Sequence, residues 1–290
     1  MIDAFRYAGR AVGMQVGAAV KKFYGWTSVF TVSFIFLFFN IFYIYFFVKE
    51  HKKMSSTSEK GKTATILILN QRRLLGCLKA SSDILRSYKQ LFRLRKDGLR
   101  PLILLVMVAL SLFFFSSGGM GPLWYLHLRL QYGIDLIQYA NIGVLWAIRS
   151  IVTNLVLLPF LLRYLSDTYL VFLSIIITSV ASVLWTLGQT YLHALILSPL
   201  FAFYYPIEII MNSIVSQLVS AEEVGTAFSF LAVLSKCIDF VGKPFYGFLY
   251  RSTVEIFPGI FLLVSTGFLF VIFGLIVLVH LGLKKRNCGN

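Results

Sequence analysis

Four stretches without a single Asp, Glu, Lys or Arg constrain the fold of this chain more than any other feature. They cover residues 25–48, 101–120, 168–207 and 256–283. Each reaches the roughly 20 residues that an α-helix needs to cross the hydrocarbon core, and 168–207 is long enough to cross it twice. Hydrophobic residues make up 58% of the 290 residues and charged residues 13%, against about 45–50% and 25% in soluble domains. The sequence therefore predicts an all-α, polytopic transmembrane helical bundle.

Seven complete membrane spans can be placed along the chain, with about half of another before them. The half span covers 2–20 and is followed by a short predicted turn at 21–26. The predicted spans are 26–48, 101–123, 137–161, 168–187, 191–215, 226–250 and 256–282. Short connections join the last six, which predicts antiparallel neighbours.

The segment 49–100 carries 14 of the 27 basic residues and only four acidic ones. Clustered Lys and Arg beside a span mark the cytoplasmic side, so this loop and, by alternation, the tail 284–290 are predicted to be cytoplasmic. Within the loop, 82–96 has the spacing of an amphipathic helix lying on membrane lipids, although a plain solvated linker helix fits as well. No nucleic-acid motif accompanies the basic charge, so a nucleic-acid partner is not expected.

Five ionisable residues fall inside predicted spans, where a charge facing lipid costs at least about 2.5 kcal/mol. Lys236, Asp239 and Lys243 share one helix face at spacings i, i+3 and i+7. This trio is interpreted first as a buried ion pair that orients its helix, with a role in binding as the alternative. Arg149 and Glu208 have no opposite charge nearby in sequence, so each must find a partner on another helix or face water. A role for both in a water-filled cavity is favoured, with a structural pairing across helices as the alternative.

Pro199 and Pro206 lie in the predicted span 191–215 and interrupt its backbone hydrogen bonding. Irregular backbone at membrane depth is tolerated only against protein or water. The span is therefore predicted to line a solute pathway, although a kink that serves packing alone is an equal alternative. Its candidate lining residues are Tyr204, Tyr205, Glu208 and Asn212.

Gly9, Gly13 and Gly17 recur every four residues near the N-terminus. Such small-residue ladders let helices approach closely, so these glycines are predicted to pack against a neighbouring helix, either within one bundle or in a homodimer. The sequence contains neither a catalytic constellation nor metal-ligand spacing, and its three cysteines form no pattern. It predicts no enzyme activity, no cofactor and no metal site.

The last third of the chain carries motifs that identify a family. SQLVSAEEVGTAFSFLAV (216–233) and GKPFYGFLYRSTVEIFPGIFLLVSTG (242–267) resemble the proton-coupled folate transporter and thymic stromal cotransporter family, solute carrier family 46, within the major facilitator superfamily. FYGWTSVFTVSF and YIYFFVKE are similar to the two ends of that family's sixth helix. DAFRYAGRAVGMQVGA is similar to its fifth. The resemblance runs along nearly the whole chain and is most specific over 216–260.

The resemblance implies a secondary active transporter built as two six-helix bundles, which takes up folate-like or other organic anions, often with protons, at the plasma membrane. The implied organisation is part of helix 5 with helix 6 (1–48), the central loop (49–100), the C-terminal six-helix bundle (101–283) and a tail (284–290). Where the family often has an arginine, this chain has Asn212, which removes a cation that would pair with an anionic solute.

Arg149, Glu208, Asn212 and Tyr205 are accordingly the candidates for solute binding or coupling. Helices 1–4 of the family have no counterpart here, so the sequence is interpreted as a fragment that is inactive without the missing N-terminal bundle. The alternative is a membrane scaffold or regulatory half-carrier that transports nothing.

Overall fold

The computed structural model describes residues 2–47, 99–221 and 223–287, and every regular element in these ranges is helical. The predicted amphipathic helix at 82–96 and most of the central loop lie outside the described residues. Helices of α type are numbered here in chain order. They are α1 Ile2–Phe47, α2 Leu99–Met120, α3 Leu123–Tyr132, α4 Leu136–Val152, α5 Leu158–Leu161, α6 Asp167–Leu187, α7 Tyr191–Leu197, α8 Tyr204–Leu218, α9 Val224–Thr253 and α10 Ile260–Asn287.

Two predicted spans contain a change of helix type. A π-helical segment, Thr153–Leu157, joins α4 to α5, and a 3₁₀ segment, Ser198–Phe203, joins α7 to α8. Counting each of these composite helices once, the described residues contain seven helices that are long and apolar enough to cross a membrane. The predicted polytopic helical bundle is thereby confirmed.

The predicted turn at 21–26 is wrong in extent. Helix α1 continues through this region and is broken only at Gly25, where φ is 81° and ψ is −177°. This left-handed φ is readily adopted by glycine and disfavoured for residues with a Cβ. The break therefore needs a single residue rather than a six-residue turn.

The chain divides into two compact units, Met1–Gln15 with Tyr88–Asn290, and Val16–Ser87. The second unit is described over 16–47, the remainder of α1. In the first unit, α2 packs against α8, α9 and α10, while α6 packs against α8, α10 and the 3₁₀ segment. Helices α2 and α6 are thus the central helices of the bundle.

Glycine permits the closest approach between α2 and α9. A Cβ at Gly242 would lie 2.9 Å from the carbonyl oxygen of Phe115, and a Cβ at Gly119 would collide with the ring of Tyr246. In membranes, where lipid is as apolar as the helix surface, such small-residue contacts supply the van der Waals packing that joins helices. Tyr246 is fully buried, and its hydroxyl lies 2.8 Å from Ser265 Oγ of α10.

Local sequence signals explain the end of the short helix α3 and the start of α4. Gly133 ends α3 in the left-handed conformation, with φ at 64°, and donates its N–H to the Leu128 carbonyl. Asp135 and Gln138 then form a capping box: the Asp135 side chain accepts from the Gln138 N–H at 2.7 Å, and the Gln138 side chain accepts from the Asp135 N–H at 3.0 Å.

Helix α3 lies across the end of α6. The Tyr132 hydroxyl donates to the Trp185 carbonyl, and Gln131 Nε2 donates to the carbonyls of Thr186 and Gly188, both at 2.8 Å. These bonds satisfy carbonyls that a helix C-terminus leaves without intrahelical partners. Sequence analysis placed this region in a loop, and the structure shows a docked ten-residue helix.

At the opposite end of α6, side-chain hydrogen bonds join this helix to α8 and α10. Gln217 Nε2 and Ser213 Oγ of α8 donate to Asp167 Oδ2 at 2.8 and 3.4 Å. Thr168 Oγ1 lies 2.8 Å from His280 Nδ1 of α10. Helix α6 therefore begins among polar contacts to two neighbouring helices.

Candidate functional site

A cavity of about 150 Å³ opens near the α3 end of the bundle. Its wall is formed by residues of α2, α3, α4, α6, the 3₁₀ segment and α8, with Gly121 between α2 and α3. The lining residues are Ser117, Met120, Gly121, Trp124, Trp146, Arg149, Trp185, Phe201, Tyr204 and Tyr205.

Three of the four tryptophans in the chain form one wall of the cavity. Trp124 is central: its ring centroid lies 5.6 Å from that of Trp146, 5.3 Å from that of Trp185 and 5.7 Å from that of Phe201, all edge-to-face. Edge-to-face pairs at these distances are favourable because the positive ring edge meets the negative ring face. The wall is therefore a preorganised aromatic surface.

Two indole N–H groups in this wall are buried and lack acceptors among the described residues, namely those of Trp146 and Trp185. A buried tryptophan N–H ordinarily finds a hydrogen-bond acceptor, because leaving it unpaired costs free energy. Acceptor atoms of a bound solute or of water would satisfy both donors. The wall thus combines apolar ring faces with donors for oxygen atoms.

Arg149 is the one cationic residue in the lining. It is half-buried, and its Nη1 donates to the carbonyl oxygen of Ser198 at 2.7 Å. A guanidinium presents five N–H donors in a planar fork that matches a carboxylate, sulfate or phosphate group. Against aromatic walls, such a group favours a solute with an apolar ring and an anionic substituent.

The structure brings together two of the four residues predicted to bind or couple solute. Arg149 and Tyr205 both line the cavity, whereas Glu208 and Asn212 are half-buried farther along α8 and are absent from the lining. Glu208 follows Tyr204 by about one helical turn, and Asn212 follows it by about two. Roles for all four stay predictions.

The predicted irregularity of the span 191–215 occurs at its first proline. Pro199 is the second residue of the 3₁₀ segment, whereas Pro206 lies in the first turn of α8, directly after that segment. The 3₁₀ segment contributes Phe201 to the cavity and leads directly into Tyr204 and Tyr205. The irregular backbone therefore carries cavity residues.

The trio on α9 lies outside the cavity lining. Lys236 and Lys243 are exposed, whereas Asp239 is half-buried with its carboxylate packed against Gly118 of α2. Asp239 is thus the member of the trio that faces the helix interface. Whether it neutralises either lysine stays a prediction.

The packing role of the glycine ladder also stays a prediction. A Cβ built at Gly9, Gly13 or Gly17 would meet no atom of the described chain within 4 Å. In the first compact unit, the contacts of α1 with α4 come from other residues: Gln15 Nε2 donates to Asn141 Oδ1 at 3.0 Å, and the Met14 side chain lies against Gly143.

His127 of α3 lies beside the aromatic wall and is fully buried. Its ring centroid is 6.4 Å from that of Trp124 and 5.1 Å from that of Phe261. Burial lowers the pKa of His127 to about 4, and the backbone of Pro258 offsets this only in part. The imidazole is therefore neutral at physiological pH.

Sequence analysis missed the tryptophans and Phe201. Trp and Tyr are enriched near the ends of membrane spans in general, so an aromatic residue there does not by itself mark a binding site. One global signal was present: alternation of the spans predicts that Trp124 and Trp185 lie at the same end of the bundle.

Comparison with known proteins gives a family match over most of the chain. The model of the Major Facilitator Superfamily matches residues 1–242. Two similar relatives are the lysosomal proton-coupled steroid conjugate and bile acid symporters SLC46A3 of Mus musculus and Rattus norvegicus, which are 22% and 24% identical to this chain over 260 and 261 residues. Both alignments cover 89% of this chain and 53% of the relative. The chain thus spans about half the length of the curated relatives it matches.

Proposed function

Because the chain belongs to the major facilitator superfamily, we propose that it forms part of a secondary active transporter for ring-containing organic anions and transports only together with an N-terminal bundle. Transport would be coupled to protons. The observation that carries this proposal is the cavity in which three tryptophans and two tyrosines surround the guanidinium of Arg149. The family match and the similarity to solute carrier family 46 agree with the resemblance found in the sequence.

The chemistry of the cavity supports one class of solute. The ring faces favour an apolar, rigid body, whose binding costs little conformational entropy. The fork of Arg149 favours an oxyanion, and the buried N–H groups of Trp146 and Trp185 can donate to further oxygen atoms. Steroid conjugates and bile acids, which the names of the two relatives give as their solutes, combine a fused ring body with an acidic group.

The size of the cavity limits how much of such a solute it surrounds. A protein cavity of about 150 Å³ is large enough for a benzene molecule. In the present conformation, the 150 Å³ site would therefore hold one ring with its substituent, and the rest of a fused ring system would extend beyond the aromatic wall.

Of the solute expectation, we keep the broader part, an organic anion, and not the folate-like class. Asn212 supplies no cation for a dicarboxylate, and the named solutes of the relatives are not folates. Proton coupling and a role for Glu208 in it belong to the same proposal. The plasma membrane remains a prediction, whereas the names of both relatives say lysosomal.

A binding experiment and an uptake experiment together test this function. Titration of the detergent-solubilised chain with estrone 3-sulfate should quench tryptophan fluorescence. Arg149→Ala should weaken binding about 10-fold or more, because a hydrogen bond to a charged group contributes about 1.5–3 kcal/mol. Arg129→Ala removes an exposed arginine outside the cavity lining and should bind normally.

In vesicles that carry the chain together with an N-terminal bundle, uptake of estrone 3-sulfate should rise with an inward proton gradient and fall by a similar factor in Arg149→Ala at matched expression. Equal binding and uptake by Arg149→Ala and the unmodified chain would remove this residue from the site. Binding without uptake under any gradient would instead favour a non-transporting half-carrier.

A further inference from the structure

We infer that Arg149 is an exchangeable anchor, which holds the 3₁₀ segment Ser198–Phe203 through the Ser198 carbonyl and releases it when an anionic group takes over the guanidinium. The inference rests on the proposed anion-binding role of the cavity. It adds a mechanism by which binding changes the shape of the helix pair α7–α8.

The guanidinium contacts the 3₁₀ segment at its first residue. Arg149 Nη1 donates to Ser198 O at 2.7 Å, and Ser198 is only 1% exposed. The next residue, Pro199, has no N–H to donate within the helix. A strong donor from α4 thus fixes the point at which the α-helical register of α7 ends.

The backbone of Arg149 marks a second change of register, in its own helix. The N–H of Thr153 is shared between the carbonyls of Arg149 and Ser150, and the π-helical segment begins at Thr153. Single-turn π segments inside α-helices occur frequently at functional sites. Arg149 therefore bonds to the first residue of both irregular segments: to Ser198 through its side chain and to the Thr153 N–H through its carbonyl.

Release of the 3₁₀ segment would move the cavity wall. A 3₁₀ helix rises about 2.0 Å per residue and an α-helix about 1.5 Å. Pro199 has no N–H and stays outside an α-helical ladder, so conversion concerns residues 200–203. It would shorten the segment by roughly 2 Å and rotate the start of α8. Phe201, Tyr204 and Tyr205 line the cavity and lie within or directly after this segment. The conversion would therefore move side chains that contact the solute.

An anion can compete with the Ser198 carbonyl for the same donor. The bond to the carbonyl is already charge-assisted by the guanidinium, but an oxyanion adds an opposite charge and can accept two parallel N–H groups of the fork in a bidentate pair. An oxyanion that engages the fork through Nη1 therefore replaces the carbonyl as acceptor. Lysine keeps the charge but lacks the fork, so it should anchor Ser198 less well.

Thiol labelling measures this release directly. Cys77, Cys237 and Cys288 are the three cysteines of the chain, and replacing them with serine gives a silent background. Ala202→Cys then reports on the 3₁₀ segment, because Ala202 is half-buried and does not line the cavity. Leu192→Cys in α7, 62% exposed, is the matched control for ligand effects outside the segment.

We expect estrone 3-sulfate to raise the maleimide labelling rate of Ala202→Cys several-fold and to leave that of Leu192→Cys unchanged. Arg149→Gln should label Ala202→Cys at the faster rate with and without the anion. Arg149→Lys should give an intermediate rate without ligand, which tests the anchor in a variant that keeps the buried charge.

The inference is overturned if the anion quenches tryptophan fluorescence while Ala202→Cys labels at an unchanged rate. It is equally overturned if folded Arg149→Gln and Arg149→Lys both label at the rate of the parent. Faster labelling of Arg149→Gln with no quenching of the parent by estrone 3-sulfate or taurocholate would support the anchor and reject the ligand class of the proposed function.

Discussion

The two ends of the C-terminal bundle are held together by different chemistry. At the cavity end, aromatic rings pack edge-to-face around Trp124, and the 3₁₀ segment contributes Phe201 to this packing. At the opposite end, Asp167 accepts from Gln217 and Ser213, and Thr168 lies within hydrogen-bond distance of His280, all on regular α-helices. The cavity end buries two indole donors without acceptors among the described residues, whereas at the other end Asp167 and His280 join helices by hydrogen bonds.

Under the proposed function, this difference separates an end whose contacts can adjust to a solute from an end whose hydrogen bonds fix the geometry between helices. Aromatic contacts are weakly directional and tolerate small shifts, and unpaired donors gain acceptors when a solute enters. Hydrogen bonds to a carboxylate fix both distance and direction. Helix α6 contributes to both ends, with Asp167 at its start and Trp185 near its finish, so it connects the cavity to the polar end.

The largest effect is expected from Trp185→Ala at the cavity end. Trp185 is fully buried against Trp124 and Phe201, and truncation of a buried Trp typically costs about 3–5 kcal/mol. The free energy of unfolding, measured by SDS titration of the solubilised chain, should fall by that amount. Leu187→Ala, at a position 66% exposed on the same helix, should change it by less than about 0.5 kcal/mol. Similar losses for both variants would show that the aromatic wall contributes no special stability.

The membrane spans could be predicted from the sequence, because twenty apolar residues have few stable alternatives to a transmembrane helix. Helix α3 could not: it has ten residues, including His127, Arg129 and Gln131, and it is too short to span a membrane. The 3₁₀ and π segments were equally hidden. Contacts of the 3₁₀ segment come from distant parts of the chain, as in the hydrogen bond of Arg149 with Ser198, 49 residues apart.

The sequence predicted only those site residues that carry a charge at membrane depth or lie beside a helix break. Arg149 stood out because a charge at membrane depth requires a partner or water, and Tyr205 because it lies beside Pro206 in an interrupted span. Trp146 and Trp185 lie in apolar runs where their ring faces and N–H donors carry no local signal. Their importance depends on three helices meeting, which single-sequence patterns do not encode.

A second prediction concerns pH at the cavity end. The pKa of His127 is lowered to about 4 by burial, below its usual 6.5, so between these values the unfolded chain binds a proton that the folded chain does not. Folding stability should therefore decrease as the pH falls from 7 towards 4, by about 2 kcal/mol at pH 5 from this residue.

His127→Phe should remove that part of the pH dependence, because phenylalanine occupies the same aromatic surroundings without a titrating group. The measurement is the unfolding midpoint in SDS at pH 7 and pH 5 for both chains. An unchanged difference between the two pH values in His127→Phe would mean that His127 is not the residue responsible.

The smallest effect is expected at the polar end, from Asp167→Ala. This change leaves the side chains of Gln217 and Ser213 without their charged acceptor. Because Asp167 is only half-buried, water can replace much of the loss, and about 1–2 kcal/mol of unfolding free energy is expected to disappear. The neighbouring Ser166 is exposed and makes no side-chain cap bond at the start of α6, so Ser166→Ala is a control of similar position and should be neutral. If Asp167→Ala lowered stability more than Trp185→Ala did, the polar end rather than the aromatic wall would be the main source of bundle stability, and its hydrogen bonds would have to be counted as part of the core.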